Sequence, residues 1–422
     1  MVDTAKKFYG KWWLYSEDQQ DSPHVNGTLS IASDGRMELF LTPAPDELSL
    51  PCKWCTNYVI WGEDMYGNKI TLFNAYLKEI KDGRCELLLI NYALIGLHVS
   101  SVDTPVFVKA EIKYPNLNEF FFVQNVDLHL DGNALTFTLK SPPTYNLEIP
   151  LGETCWVLDG FYQWRTRQML SEVNIVQYTR FIIKSPKVSS LNCFKKQIDE
   201  FTDFLSLALY SKQRPTSICF YTEDDSKQYE LYYRLESSAE ICHHLIGDSV
   251  RYNRLTEILN NWHNNYNEIA PIYRYLERSQ FYHQGLGGIP EFLLIEFAIE
   301  GYCKRFHNEN IECTTGKKTR KLRDELSALL EHYASVEIIN NLNLDLESVV
   351  NTRDTYTHLL PEGTKSKVVQ SSHERWIMTE KLKMLLLCCL LENMGFTLEE
   401  IDTNFKTSGI QLPEVYQNEF LF

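Results

Sequence analysis

Leu344-Asp-Leu-Glu-Ser-Val-Val-Asn-Thr-Arg-Asp-Thr-Tyr-Thr-His-Leu-Leu360 reads as a helix, because its apolar residues recur at spacings of three and four. Pro361-Glu362-Gly363 then breaks the pattern. Pro361 disfavours helical backbone at Leu360, which places His358 in the last turn. Within this helix lies Arg353-Asp354-Thr355-Tyr356-Thr357-His358, a cation that suits a phosphate and an imidazole that can carry a proton for a hydroxyl. A metal-free ribonuclease needs those two parts.

Spacing alone decides nothing, since Arg278-Ser-Gln-Phe-Tyr-His283 repeats it. Residues five apart on a straight helix differ in direction by about 140°, so Arg353 and His358 do not share a face. Asp354 and His358, four apart, do. A carboxylate there is expected to bond one imidazole nitrogen and orient the ring, leaving the other nitrogen for chemistry. Position 279 is a serine and lacks that charge. Asp354 and the negative helix end would both favour imidazolium at His358. The competing reading is a solvated ion cluster at a helix end.

Working outward, the chain from about residue 250 reads as wholly helical. Expected helices are Thr256 to Phe281, Pro290 to His307, Lys318 to Tyr333, Leu344 to Leu360 and His373 to Met394, with a short one at Thr397 to Phe405. Gly285-Leu-Gly-Gly288 and Thr314-Thr-Gly316 separate the first three. Such helices with mostly short loops predict a bundle over 250–405, followed by a tail at 406–422.

Residues 1–155 read as β-rich. Gly10-Lys-Trp-Trp-Leu-Tyr, Gly27-Thr-Leu-Ser-Ile, Arg36-Met-Glu-Leu-Phe-Leu-Thr, Lys69-Ile-Thr-Leu-Phe and Glu86-Leu-Leu-Leu-Ile are short apolar or alternating runs. Turn signals at Asp34-Gly35, Tyr66-Gly67-Asn68, Asp82-Gly83 and Asp131-Gly132 punctuate them. A sandwich or barrel is expected. Residues 156–249 read as a mixed α/β middle segment, with a strand at Val176 to Ile183, a helix at Leu191 to Tyr210 and a hairpin around Glu223-Asp224-Asp225. The fold class is therefore α+β and multidomain, a β-rich N-terminal region followed by an all-α bundle.

A net charge of −15 over 422 residues makes the chain as a whole a poor nucleic-acid binder, so any RNA contact needs a local basic patch. Lys317-Lys318-Thr319-Arg320-Lys321-Leu322-Arg323 supplies one, with five basic residues in seven. Its alternative is a solvated helix start, although basic charge opposes the dipole there. Tyr356 offers a ring for base stacking or for packing in the bundle. The longest apolar run, Met384 to Leu391, is too short to span a bilayer. MVDTAKKFYGKWW has no apolar signal region, and eleven scattered cysteines fit a reducing compartment, so a cytoplasmic location is expected. Cys52-Lys-Trp-Cys55 has no second half of a zinc pattern, and His243-His244 point to different helix faces, so no metal is expected. Cys388-Cys389 reads as core. No Walker-type phosphate loop is present, and no cofactor is expected.

The hexapeptide, on the penultimate long helix of a C-terminal bundle, resembles the HEPN superfamily signature R-[N/D/H]-x-x-x-H. The larger plan resembles the ApeA type of anti-phage HEPN protein, with Gly10-Lys-Trp12 and Gly27-Thr-Leu29 in the β-rich part and Ala298-Ile299-Glu300 similar to an "-alE-" pattern on the second helix. The resemblance implies an endoribonuclease in which the ribose 2′-OH attacks the adjacent phosphate, giving 2′,3′-cyclic phosphate and 5′-OH ends. It implies Arg353 and His358 as catalytic residues, Asp354 as an orienting residue, and a homodimer whose composite cleft joins two motif helices. Glu300 is expected to orient the arginine or the histidine. Lys317, Lys318, Arg320, Lys321, Arg323 and Tyr356 are expected to contact RNA. tRNA is the expected target, and an unknown phage-derived signal the expected trigger. Residues 1–249 are expected to sense or restrain, because an unrestrained ribonuclease would kill its host. The alternative function is a catalytically silent helical module that binds RNA or a partner protein. Another alternative is a carbohydrate- or peptide-binding β domain with a structural helical tail.

Overall fold

The computed structural model describes residues 5–15, 24–42, 58–81, 85–121, 126–131, 134–139, 145–167, 172–224, 227–233, 243–281, 288–306 and 321–412. Strands β1 (Lys6–Leu14), β2 (Val25–Ile31), β3 (Met37–Thr42), β4 (Tyr58–Asp64), β5 (Lys69–Lys81) and β6 (Cys85–Ile90) run antiparallel in the order β5-β4-β1-β2-β3-β6. β5 also pairs with β6, so these strands close into a barrel.

Alternation along each strand sends one set of side chains inward. Trp12, Leu29, Ile31, Leu39, Ile60, Leu72 and Leu88 fill the interior. Gly62 lies against the Trp12 indole, and a methyl group there would run into the ring. The signal at Tyr66-Gly67-Asn68 is a tight β4–β5 turn. The Asp64 carboxylate accepts from the backbone N–H groups of Tyr66 (2.8 Å) and Asn68 (2.9 Å), and Gly67 has φ 81°. Asp34-Gly35 turns similarly, with Gly35 at φ 77°. The signals at Asp82-Gly83 and Asp131-Gly132 fall wholly or partly outside the described residues.

The sheet continues past the barrel. β7 (Tyr92–Ile95) pairs with β5, and β8 (Pro105–Lys113) is followed by a short helix, α1 (Leu117–Phe120). β9 (Val126–Asp131) and β10 (Ala134–Leu139) form a separate hairpin. β11 (Tyr145–Leu151), β12 (Thr154–Arg167) and β13 (Glu172–Ser190) lead into helix α2 (Leu191–Ala208), and β14 (Ser217–Tyr221) and β15 (Gln228–Tyr233) form the expected hairpin. The order is β11-β12-β13-β8-β14-β15-β7-β5, so strands from both sides of residue 155 share one ladder. Phe201 of α2 stacks on Phe181 of β13 at 3.8 Å between ring centroids.

The helical part comprises α3 (Asp248–Phe281), α4 (Ile289–Phe306), α5 (Leu322–His332), α6 (Glu337–Asn340), α7 (Leu346–Thr357), α8 (Ser372–Asn393) and α9 (Leu398–Ser408). α8 is its central element, with Leu382 and every residue from Met384 to Leu391 buried. Among the described residues no helix is long and apolar enough to cross a membrane. The chain divides into two compact units. One is Met1–Leu205 with Gln213–Glu240, and the other is Ser206–Lys212 with Ile241–Phe422.

Candidate active site

α7 starts later and ends earlier than its apolar spacing suggests. Asp345 is the N-cap, and its carboxylate accepts from the backbone N–H groups of Glu347 (3.0 Å) and Ser348 (3.3 Å), which fixes Leu346 as the first helical residue. At the other end His358 is the C-cap and Leu359 takes the left-handed conformation, φ 49°. The Leu360 N–H then bonds the Thr355 carbonyl at 2.9 Å, closing a Schellman turn. His358 therefore stands just beyond the helix, where its side chain is exposed.

Arg353 points toward α4, where Glu296 and Glu300 sit one turn apart. Its Nη2 donates to Glu300 Oε2 at 3.0 Å, and its Nη1 to Asp354 Oδ1 at 3.2 Å. Its Nε lies 3.4 Å from Glu296 Oε2. The guanidinium side chain keeps 21% of its surface exposed, so it is pinned yet reachable. Lys304 bonds the other oxygen of Glu300 at 2.6 Å. Burial pushes the Glu300 carboxyl upward, but Lys304 and Arg353 outweigh it and hold the group below the usual carboxylate range. Glu296 is wholly buried, and burial raises its carboxyl to about 8 despite the opposing charge of Arg353.

The expected Asp354–His358 bond does not form. Asp354 turns its first oxygen to Arg353 and its second to Lys365, 3.3 Å away. Two neighbouring cations draw the carboxylate away from the imidazole, and among the described residues the His358 ring has no hydrogen-bonding partner. Arg353, Asp354 and Glu300 are thus brought together, while His358 stands apart from them at the helix end.

Tyr356 is held on another side. Its hydroxyl donates to the Val369 carbonyl at 3.3 Å and accepts from Arg375 Nη1 at 3.2 Å, and the Arg375 guanidinium lies 5.5 Å from the ring centroid. These contacts fit the packing alternative, with the residue half-buried. Lys317, Lys318 and Arg320 lie outside the described residues. Lys321 is the exposed N-cap of α5, and Arg323 is exposed in its first turn. Cys52 and Cys55 also lie outside the described residues, as does His283 of the second arginine–histidine pair. Cys388 and Cys389 are buried in α8. His243 packs edge-on against the Tyr210 ring.

Sequence reasoning missed Glu296 and Lys365. A signal existed for the first. Glu296 falls within the stripe of Phe292, Ile295, Ile299 and Cys303 that α4 buries, where a carboxylate is out of place.

The family model of the ApeA N-terminal domain 1 matches residues 7–262, and that of the Apea-like HEPN matches residues 255–400. No curated protein matches the chain. The HEPN match covers α4, α7 and α8 and points to an anti-phage defence nuclease family. The chain therefore belongs to the ApeA family, its β-rich region being an ApeA N-terminal domain and its helical region an Apea-like HEPN domain that carries Arg353 and His358.

Proposed function

We propose that this protein is an anti-phage endoribonuclease that cuts RNA without a metal ion. The ribose 2′-oxygen attacks the adjacent phosphorus, the new O2′–P bond forms as the P–O5′ bond breaks, and the products carry a 2′,3′-cyclic phosphate and a 5′-OH. One imidazole takes the 2′-OH proton, and a second gives a proton to the departing 5′-oxygen. Arg353 offers its guanidinium fork to the phosphoryl oxygens as charge builds on them. Two histidines are needed at once, so the cleft is assembled from two copies of the chain, with Arg353 and His358 entering from each motif helix.

The observation that carries this reading is the division of labour on α7. Arg353 is fixed by carboxylates with part of its surface open, while His358 is exposed past the helix end with its ring uncommitted. tRNA is the proposed target, since an exposed anticodon loop lets a base splay and the 2′-OH align. The protein acts in the cytoplasm and is restrained by its N-terminal part until a phage-derived signal arrives.

A second reading draws on the same cluster. Three carboxylates already surround Arg353, as in a purely structural ion network, and the domain would then bind RNA or a protein without cutting. Purified protein incubated with total bacterial RNA in EDTA, beside Arg353→Ala and His358→Ala, separates the two. Discrete fragments ending in 2′,3′-cyclic phosphate from the parent alone support the nuclease. If the parent fails to cut even in extract from infected cells, the silent module stands.

A further inference from the structure

Glu296 is fully buried on α4, and neither of its carboxylate oxygens has a hydrogen bond. The Arg353 Nε that faces it is also buried without one, although only 3.4 Å separates it from Oε2. A carboxylate buried with neither oxygen hydrogen-bonded bears a large desolvation cost that a proton relieves, and Arg353 already has Glu300 and Asp354 to balance its charge. Arginine does not give up its proton, so the neutral partner must be Glu296.

The charges around the pair say why this matters. Arg353 and Asp354 face Glu296 from α7, and Glu300 lies one turn along its own helix. Lys304 and Lys365 flank them through Glu300 and Asp354. If all three carboxylates were ionised, they would cancel the three cations and the cluster would have no net attraction for a phosphate. With Glu296 neutral, one positive charge is left over, and Arg353 is the member of the cluster that carries the signature position. Burial is the chief reason that Glu296 holds its proton near neutral pH, where its carboxyl is raised to about 8.

We propose that Glu296 is a positioning residue for Arg353, a protonated carboxyl that props the guanidinium from its buried side and leaves the cluster cationic toward a phosphodiester. The inference deepens the nuclease reading and rests on it. Glu296 touches no substrate. It acts by setting the tilt of Arg353 and by staying uncharged, and its ionisation above neutral pH would place a competing anion beside the phosphate-binding cation.

Two measurements on the full chain test this. The first is infrared titration of protonated carboxyl groups in the parent, Glu296→Gln and Arg353→Ala. One carboxyl should ionise near pH 8 in the parent, vanish in Glu296→Gln, and shift to higher pH in Arg353→Ala, because the neighbouring cation that eases ionisation is gone. An unchanged titration in either variant overturns the proposal. The second is the pH profile of RNA cleavage. The general-acid imidazole gives every variant an alkaline fall. Ionisation of Glu296 should add a second one to the parent, roughly a further tenfold for each pH unit above its transition, which Glu296→Gln should lack. Glu296→Ala should cut more slowly at neutral pH. If Glu296→Ala fails to fold, Glu296→Gln still decides the matter. An alkaline limb as steep in Glu296→Gln as in the parent overturns the proposal. If the parent cuts no RNA even in extract from infected cells, the nuclease reading fails, and the infrared shift in Arg353→Ala still decides whether Glu296 and Arg353 are coupled.

Discussion

The Asp354 carboxylate faces the Lys365 ammonium at 3.3 Å, which ties α7 to the loop that follows it. That loop is stitched along the helix at several further points. Lys367 pairs with Glu347 at 2.7 Å, Asn351 Nδ2 donates to the Ser366 carbonyl at 2.9 Å, and the Val369 N–H donates to Thr352 Oγ1 at 3.0 Å. The motif helix is therefore held by Arg353 on its α4 side and by this loop elsewhere.

These ties are unequal. Exposed ion pairs contribute little, whereas Thr352 is fully buried and its hydroxyl accepts a backbone N–H. Thr352→Val should cost about 1–2 kcal/mol in urea unfolding, and Lys365→Ala less than about 0.5 kcal/mol. The reverse ranking would show that surface charge, not the buried hydroxyl, fixes the loop.

Arg353→Lys should be nearly as inactive in RNA cleavage as Arg353→Ala, with a loss of about 10²–10³-fold. A lysine offers a point charge and cannot reach Glu300 and Asp354 together while presenting a fork to a phosphate. Cleavage by Arg353→Lys within a few-fold of the parent would mean that only the charge counts.

Leu359 holds φ 49° with 86% of its surface exposed, so it bears backbone strain without compensating burial. Leu359→Gly should raise stability by about 1 kcal/mol, measured by thermal unfolding. A lower melting temperature in Leu359→Gly would show that the leucine side chain has a contact worth more than the strain.

Glu296 links stability to pH. Its carboxyl is raised in the folded chain from 4.5 to about 8, so the fold retains a proton that the unfolded chain gives up. The associated stability is fully present below about pH 4.5 and declines as pH rises to about 8, where it levels off. The melting temperature of the parent should therefore fall relative to Glu296→Gln across that interval. Parallel curves for the two proteins would mean that Glu296 is already ionised at neutral pH.

Much of the architecture was legible in local pattern. The expected helix from His373 to Met394 and the observed Ser372–Asn393 differ by one residue at each end, because a long apolar run bounded by polar residues leaves little choice. The 34-residue α3 begins at Asp248 rather than Thr256, since its first turns carry too few apolar residues to show a face. The short helix Glu337–Asn340 went unseen, being one turn without a period to detect. The barrel was one of two options, and only the β5–β6 pairing, a contact between strand partners that alternation cannot rank, chooses it. At the site, helical spacing put Asp354 and His358 on one face. It could not show that Lys365, eleven residues on in a loop, would compete for the carboxylate.

Ser206–Lys212 belongs to the helical unit although the chain afterwards returns to the strands. The His243 N–H bonds the Leu209 carbonyl at 2.9 Å and the Ile246 N–H bonds that of Ala208 at 3.2 Å, so this short peg is part of how the helical unit begins. A gene fragment starting at residue 250 would leave it behind, and recombination at a single junction could not carry the helical unit whole. The chain crosses from one unit to the other three times, and an ancestor that exchanged either unit whole would have needed three coordinated breakpoints. Such interleaving favours descent of the pair as a single heritable module.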